Sequence, residues 1–137
     1  MTDRDSKATF KIRLVASAPA SREKGLMHAE PLEPDEVAFF VFPRSDRYAF
    51  WNKNVSFDLT LAYLDEEGRI VHFADLPAMS ERFVRSDSPA RYVVEAPAGA
   101  WERLGVHLGD IVTYRDHALR VAEGSDARKK FARVSSR

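Results

Sequence analysis

The sequence contains no cysteine. Disulfides, thiolate catalysis and cysteine-ligated zinc or iron–sulfur sites are therefore excluded. The compartment stays open, because a disulfide-free domain is viable in cytosol or periplasm. Neither charge is in excess: 21 Lys and Arg balance 21 Asp and Glu, for a formal net charge of zero. A domain-wide electrostatic footprint for nucleic acid or anionic lipid is not expected from such a balance. Long apolar runs are missing too. The clearest, residues 37–42, is far shorter than the roughly 20 residues of a membrane-spanning helix. The opening Met1-Thr2-Asp3-Arg4-Asp5 lacks the apolar stretch of a signal peptide. We therefore expect a soluble chain, with no compartment specified. No P-loop, dinucleotide fingerprint or Gly-x-Ser-x-Gly occurs, so no cofactor is expected. His28, His72, His107 and His117 form neither His-x-His nor His-x-x-x-His, so no metal is expected.

What is present is an ordinary globular mix. The 137 residues are 45 % hydrophobic and 31 % charged, at the length of one domain. A chain of this size buries roughly two thirds of its unfolded surface, enough for a true core. We read a flexible N-terminus over residues 1–8, one β-rich domain over 9–122 and a basic tail over 123–137. The tail sets Arg128, Lys129, Lys130, Arg133 and Arg137 against Glu123 and Asp126. A solvated end is the expectation for it, rather than contact with nucleic acid or lipid through Phe131.

Periodicity places the elements. Phe10, Ile12 and Leu14 alternate with Lys11 and Arg13, as in a half-buried strand. Ser17 is positioned to cap a short helix with Pro19 in its first turn and Gly25 at its end. Pro31 and Pro34 keep the next stretch as loop. Residues 37–42 are apolar on both strand faces, which places them centrally in a sheet, with Pro43 ending the strand. Residues 47–51 and 59–64 read as strands, and the second returns through Asp65-Glu66-Glu67-Gly68 into 69–73 as a hairpin. Residues 76–90 read as a long loop with a short strand at 82–84. Residues 91–95 form a strand, and 98–104 a short helix stopped by Gly105. Residues 106–114 form a turn and the last strand, with Gly109 suited to positive φ. The fold expected is α+β and β-rich: a strongly curved antiparallel or mixed sheet, barrel-like, with two short helices.

Four segments, in this order, resemble one family: Arg22-Glu23-Lys24-Gly25-Leu26-Met27; Phe39-Phe40-Val41-Phe42; Phe50-Trp51-Asn52-Lys53-Asn54; and Arg91-Tyr92-Val93-Val94-Glu95 with Gly99 and Gly105-Val106-His107-Leu108-Gly109-Asp110. Together they resemble the domain of unknown function 192 family over roughly residues 9–115. The resemblance implies a compact β-rich α+β domain with no established activity, in a family whose members are often exported. The family typically reads Trp-Met-Lys-Asn-Thr where this chain has Trp51-Asn52-Lys53-Asn54-Val55. Its usual carboxylate falls on Thr60, with Asp58 carrying one instead, and its usual Asn after the Glu strand falls on Pro97.

Among residues able to carry chemistry, Trp51 and Lys53 would share one face of an extended strand, with Asn54 on the other. An indole beside an ammonium can form one wall of a site for a small polar or carbohydrate-like ligand. The plain alternative is a Trp edge in the core with Lys53 snorkelling past it. Glu95 lies in an otherwise apolar strand, where a charge needs a partner. Lys53 is the partner expected, with Arg91 the competitor. Arg22 can bind an anion or cover the sheet edge with a salt bridge. Eight of the fifteen aromatics fall between Phe39 and Tyr63, more than a small sheet can hide, and an exposed remainder would mark a partner surface. The leading expectation is a non-catalytic binding domain centred on Trp51, Lys53, Asn54 and Glu95, with Arg22 nearby. The alternatives are a hydrolase-type enzyme using Lys53 and Glu95, and a protein-interaction module using exposed aromatics. Residues 1–7 and 127–137 carry no strand pattern. A chain of residues 8–126 is therefore expected to unfold cooperatively in a denaturant titration.

Overall fold

The computed structural model describes residues 6–124. Residues 1–5 of the expected flexible N-terminus and residues 125–137 of the expected basic tail, Phe131 included, lie outside the described residues. Within them the order is β1 (Ser6–Ala16), α1 (Pro19–Lys24), β2 (Glu36–Asp46), β3 (Ala49–Phe50), β4 (Leu59–Leu64), β5 (Ile70–Leu76), β6 (Val84–Arg85), β7 (Ala90–Pro97), α2 (Ala100–Arg103), β8 (Ile111–Arg115) and β9 (Ala118–Ala122). Seven strands build one mixed sheet in the order β5-β4-β7-β2-β1-β9-β8, and β3 pairs with β6 apart from it. The β1–β2 pair is parallel; the other pairs of the sheet are antiparallel. The sheet curls into a half-barrel, as the expected β-rich α+β fold required. Its two edge strands touch at one end, where Arg69 bridges Ile111. There Ile70 N–H donates to the Asp110 carbonyl and Val112 N–H to the Gly68 carbonyl. These bonds use up backbone groups that an open edge would expose.

The alternation inside β2 explains the layering. Val37 and Phe39 join an inner cluster to which all seven strands contribute, with Trp101 and Val106 from and after α2. Ala38, Phe40 and Phe42 join a second cluster on the outer face, covered by Leu26, Leu32, Phe50 and Val55. Both faces of residues 37–40 of β2, 61–64 of β4 and 93–96 of β7 are therefore dry, and Val37, Ala38, Leu61, Val93 and Val94 are 0 % exposed. Each large aliphatic side chain so buried stabilises the fold by about 1.5–3 kcal/mol.

The structure departs from the sequence reading at several points. β1 starts at Ser6, so Ser6, Lys7 and Ala8 belong to the sheet. Ala18, not Ser17, is the N-cap of α1, and the bond closing that turn comes from Ser21, whose hydroxyl accepts the Ala18 N–H. β2 runs through Pro43 to Asp46, because its pairing with β7 is irregular between Val41 and Asp46 and no ladder N–H is needed there. The strand expected over 47–51 shrinks to two residues, and Trp51 lies outside it. The strand expected last is β8, followed by a further strand, β9. Their connection, Asp116-His117, has φ of 54° and 60° without a glycine, so the usual sequence mark of such a tight turn is absent.

Asp110 ties three distant segments together. It is 1 % exposed and accepts from Lys7 Nζ at 2.9 Å, the His107 N–H at 2.8 Å and the Gly124 N–H at 3.2 Å. Burial raises its pKa, but the Lys7 bond and the two backbone donors outweigh burial and hold it below the ordinary value. Lys7 is therefore part of the folded structure, unlike the dispensable end expected of residues 1–7.

Two predictions follow from backbone and charge. Gly68 and Gly109 have φ of +83° and +90°, but only a Cβ at Gly68 would also collide with the Val112 carbonyl oxygen. Gly109→Ala should cost about 1 kcal/mol and Gly68→Ala clearly more, measured by urea denaturation. Lys7→Met should cost on the order of 1–2 kcal/mol near neutral pH. The Asp110 contribution is present above the unfolded carboxylate pKa and is lost as pH falls through the lower folded value, so the wild-type advantage should vanish in strong acid.

Candidate functional site

A cavity of about 270 Å³ opens on the outer face of the sheet, where the end of α1 and the turn after β3 cover β7. Arg22, Phe40, Trp51, Lys53, Phe83 and Glu95 are among its lining residues. Trp51 and Lys53 reach it from a turn, not a strand, so the shared strand face expected for them does not exist. They meet nonetheless: Lys53 Nζ lies 5.2 Å from the centre of the indole. The indole also stacks on Phe83, with centroids 4.7 Å apart and planes within 9°. Part of the platform expected for a flat ligand is thus already occupied.

The turn is held by unusual backbone. His28, Asn54 and Met79 have φ near +60°, a region costly for side-chain-bearing residues. They are bonded into one another's loops: His28 N–H donates to the Asn54 carbonyl and Met79 N–H to that of Val55. Asn54 takes part through its backbone and does not line the cavity. The residue overlooked in the sequence is Asn52, 0 % exposed. Its Nδ2 donates to the carbonyls of Phe57, Leu76 and Pro77 at 3.0–3.1 Å. Those three acceptors settle the amide orientation and leave Oδ1 buried without a partner among the described residues. The mark of this role in the sequence was the polar residue itself, standing next to Trp51.

Asp58 and Thr60 act as structural pins. Asp58 Oδ1 accepts the Ala78 N–H, and the Thr60 hydroxyl bridges Asp75 and the Gly99 N–H. Arg22 covers no sheet edge and forms no ion pair among the described residues; it packs instead over the end of the central strand β2. It donates to the carbonyls of Ser17 and Val41 and lies 5.1 Å over the Phe42 ring.

Glu95 sits mid-strand, paired across the backbone with Ala38 on β2 and Leu61 on β4. It is 4 % exposed. The expected ion pair with Lys53 is not formed, and Arg91 is spent on Glu66 and the Phe42 carbonyl. Among the described residues nothing hydrogen-bonds the Glu95 carboxyl, and burial pushes its pKa up to about 8. It is therefore a neutral acid at neutral pH, with an O–H donor and a carbonyl acceptor both unused. Burial, and then the nearness of Glu95, also push the Tyr63 hydroxyl up. The aromatics between 39 and 63 do not form an exposed patch, for none of the eight is exposed. The exposed aromatics among the described residues, Phe83 and Tyr114, lie elsewhere in the sequence.

Sequence comparison matches residues 1–114 to the DUF192 family, described as "Uncharacterized ACR". The chain belongs to the DUF192 family. A search of curated proteins finds no match. Among solved structures, this DUF192 chain is similar to a protein of Sinorhizobium meliloti 1021 described as a "putative transcription regulator", with 33 % identity and a TM-score of 0.69 over 73 % of this chain and 78 % of that one. It is also similar to a protein of unknown function from Novosphingobium aromaticivorans DSM 12444, with 27 % identity and a TM-score of 0.72 over 77 % and 75 % of the two chains. The family segments quoted from the sequence fall in this DUF192 domain on the end of α1, both faces of β2, the turn after β3, β7 with Glu95, and α2 with the turn before β8.

An acid whose folded pKa is raised weakens the fold as pH rises from its unfolded value to its folded one, because the unfolded chain releases its proton first. For Glu95 that window runs from about 4.5 to about 8. Glu95→Gln removes it. Denaturation at several pH values should show the variant gaining on the wild type across this window, by on the order of 3 kcal/mol near pH 7.

Proposed function

We propose that this DUF192 domain is a non-catalytic binding domain for a small polar or carbohydrate-like ligand, held in the cavity formed by Trp51, Lys53, Glu95 and Arg22, with Asn54 shaping the turn. The observation that carries the reading is the Glu95 carboxyl: 4 % exposed, lining a cavity, and without a hydrogen-bond partner among the described residues. Leaving such a group unsatisfied costs about 1–3 kcal/mol, a cost that a bound polar ligand removes. The three strained backbone positions around the turn fit the same reading, since strain of this kind gathers at ligand sites. A carbohydrate would lie against the edge of the Trp51–Phe83 stack rather than on a bare indole face.

One observation favours a second reading. A carboxyl protonated into the neutral range beside a cavity has the pKa of a general acid, which keeps a hydrolase-type enzyme in view. Lys53 forms no ion pair with Glu95, so that enzyme lacks a visible proton-transfer couple.

The test is crystallographic and kinetic. Crystals of the full chain soaked with a collection of monosaccharides and small polar fragments should show density in the cavity within hydrogen-bonding reach of Glu95. Density confined to other surfaces would remove the binding reading. Turnover of ester, amide or glycoside substrates that disappears in Glu95→Gln would replace it with the enzymatic one.

A further inference from the structure

The charges around the cavity are unequal. Arg22, Lys24 and Lys53 line it against Glu23 and the neutral Glu95. The Lys53 ammonium has no ion pair among the described residues, and it lies over the Trp51 ring. Arg22 already uses one guanidinium nitrogen on two backbone carbonyls. The floor therefore offers one O–H donor and one acceptor, the rim offers an unspent cation, and Phe40, Phe50 and Val55 add apolar wall.

A ligand amine would meet three cations and no anion of matching number. A neutral sugar would use the Glu95 carboxyl but leave the ammonium without an opposite charge. Phosphate is tetrahedral and strongly hydrated, and binds best where several N–H donors converge; one carboxyl and one ammonium do not supply that. A carboxylate matches each feature. It accepts a short charge-assisted bond from a neutral carboxyl, and its charge is satisfied by one ammonium. We infer that the cavity takes a small organic carboxylate with an apolar body, the carboxylate accepting the Glu95 O–H and lying beside the Lys53 ammonium. This inference deepens the binding reading and rests on it.

Such binding is linked to pH, because only protonated Glu95 can donate. The titratable and charged groups around it are Tyr63 on β4, Arg85 on β6 acting on Tyr63, Arg22, Glu23 and Lys24 on α1, and Lys53. Ionisation of Glu95 would both remove the donor and set an anion against the ligand.

The experiment uses the full chain and five probes: sodium benzoate, benzamide, benzylamine, glucose and inorganic phosphate, each titrated against the ¹⁵N-labelled protein by NMR. Benzoate should saturably shift the Trp51 indole N–H and the backbone signals of residues 22–27 and Glu95. Its affinity should fall about tenfold from roughly pH 7 to roughly pH 9, as the protonated fraction of Glu95 falls. Lys53→Met should weaken it by at least about fivefold, the scale of one lost charge-assisted contact. In Glu95→Gln the fall with pH should disappear. Benzamide, glucose, benzylamine or phosphate binding the cavity as tightly as benzoate would overturn the carboxylate inference and leave the binding reading standing. Benzoate binding that shows the same pH dependence in Glu95→Gln would also overturn it. No shift at the cavity from any of the five would overturn both.

Discussion

The constraint on which this molecule depends is burial of both faces of the β4-β7-β2 strip. Few small sheets are dry on two sides. Here the curl closes one face around its own side chains, and the segments of residues 26–32 and 48–57 close the other. Once both faces are dry, every side chain on these strands must be apolar or satisfied. Ala38, Leu61 and Val93 meet the first condition. Glu95, between Ala38 and Leu61, meets neither within the described residues, and the cavity opens at that residue. The same dryness that stabilises the fold keeps the carboxyl protonated.

Stability and the proposed binding role therefore pull against each other. A carboxyl ionised in the unfolded chain and neutral in the folded one makes folding less favourable through the neutral range. The turn that brings Trp51 and Lys53 to the cavity adds backbone strain at His28, Asn54 and Met79. The fold offsets these costs elsewhere: in the edge closure at Gly68 and Asp110, in the Lys7–Asp110 pair, and in the three carbonyls gathered by Asn52. Asn52 is the hinge between the two sides of this balance. Its amide builds the turn, and its Oδ1, without a partner among the described residues, adds a second unsatisfied acceptor on a residue that lines the cavity.

Much of the fold was legible. The apolar run of residues 37–42 implied a central strand, and β2 is the middle strand of the seven. The hairpin around Gly68 was plain because Asp65 and Gly68 are turn residues with a mechanism: Asp65 Oδ1 accepts two backbone N–H groups and Gly68 takes φ of +83°. β9 was missed because its turn is built from Asp116 and His117 without glycine. Pro43 marks a strand end in the sequence because a proline removes a ladder donor, yet β2 continues through it, since the loss is harmless where the ladder is already broken. Of the candidate site, Trp51, Lys53, Glu95 and Arg22 line one cavity, yet the reason given for Trp51 and Lys53 was wrong: they meet through a turn.

Local chemistry decided what the sequence could determine alone. Alternation set the strands, glycine set the tight turns, and the ordered family segments set the family, because each depends on residues close in the chain. The partner of Glu95 could not be read this way. Charge balance suggested Lys53, but pairing depends on where a turn held by Asn52, Asn54 and Met79 aims an ammonium, and those residues are up to 27 positions apart. Only the tertiary structure decided that Lys53 lies over Trp51, that Arg91 serves Glu66, and that Glu95 is left dry and neutral. The desolvation responsible is a property of everything packed around the group, and no single stretch of sequence contains it.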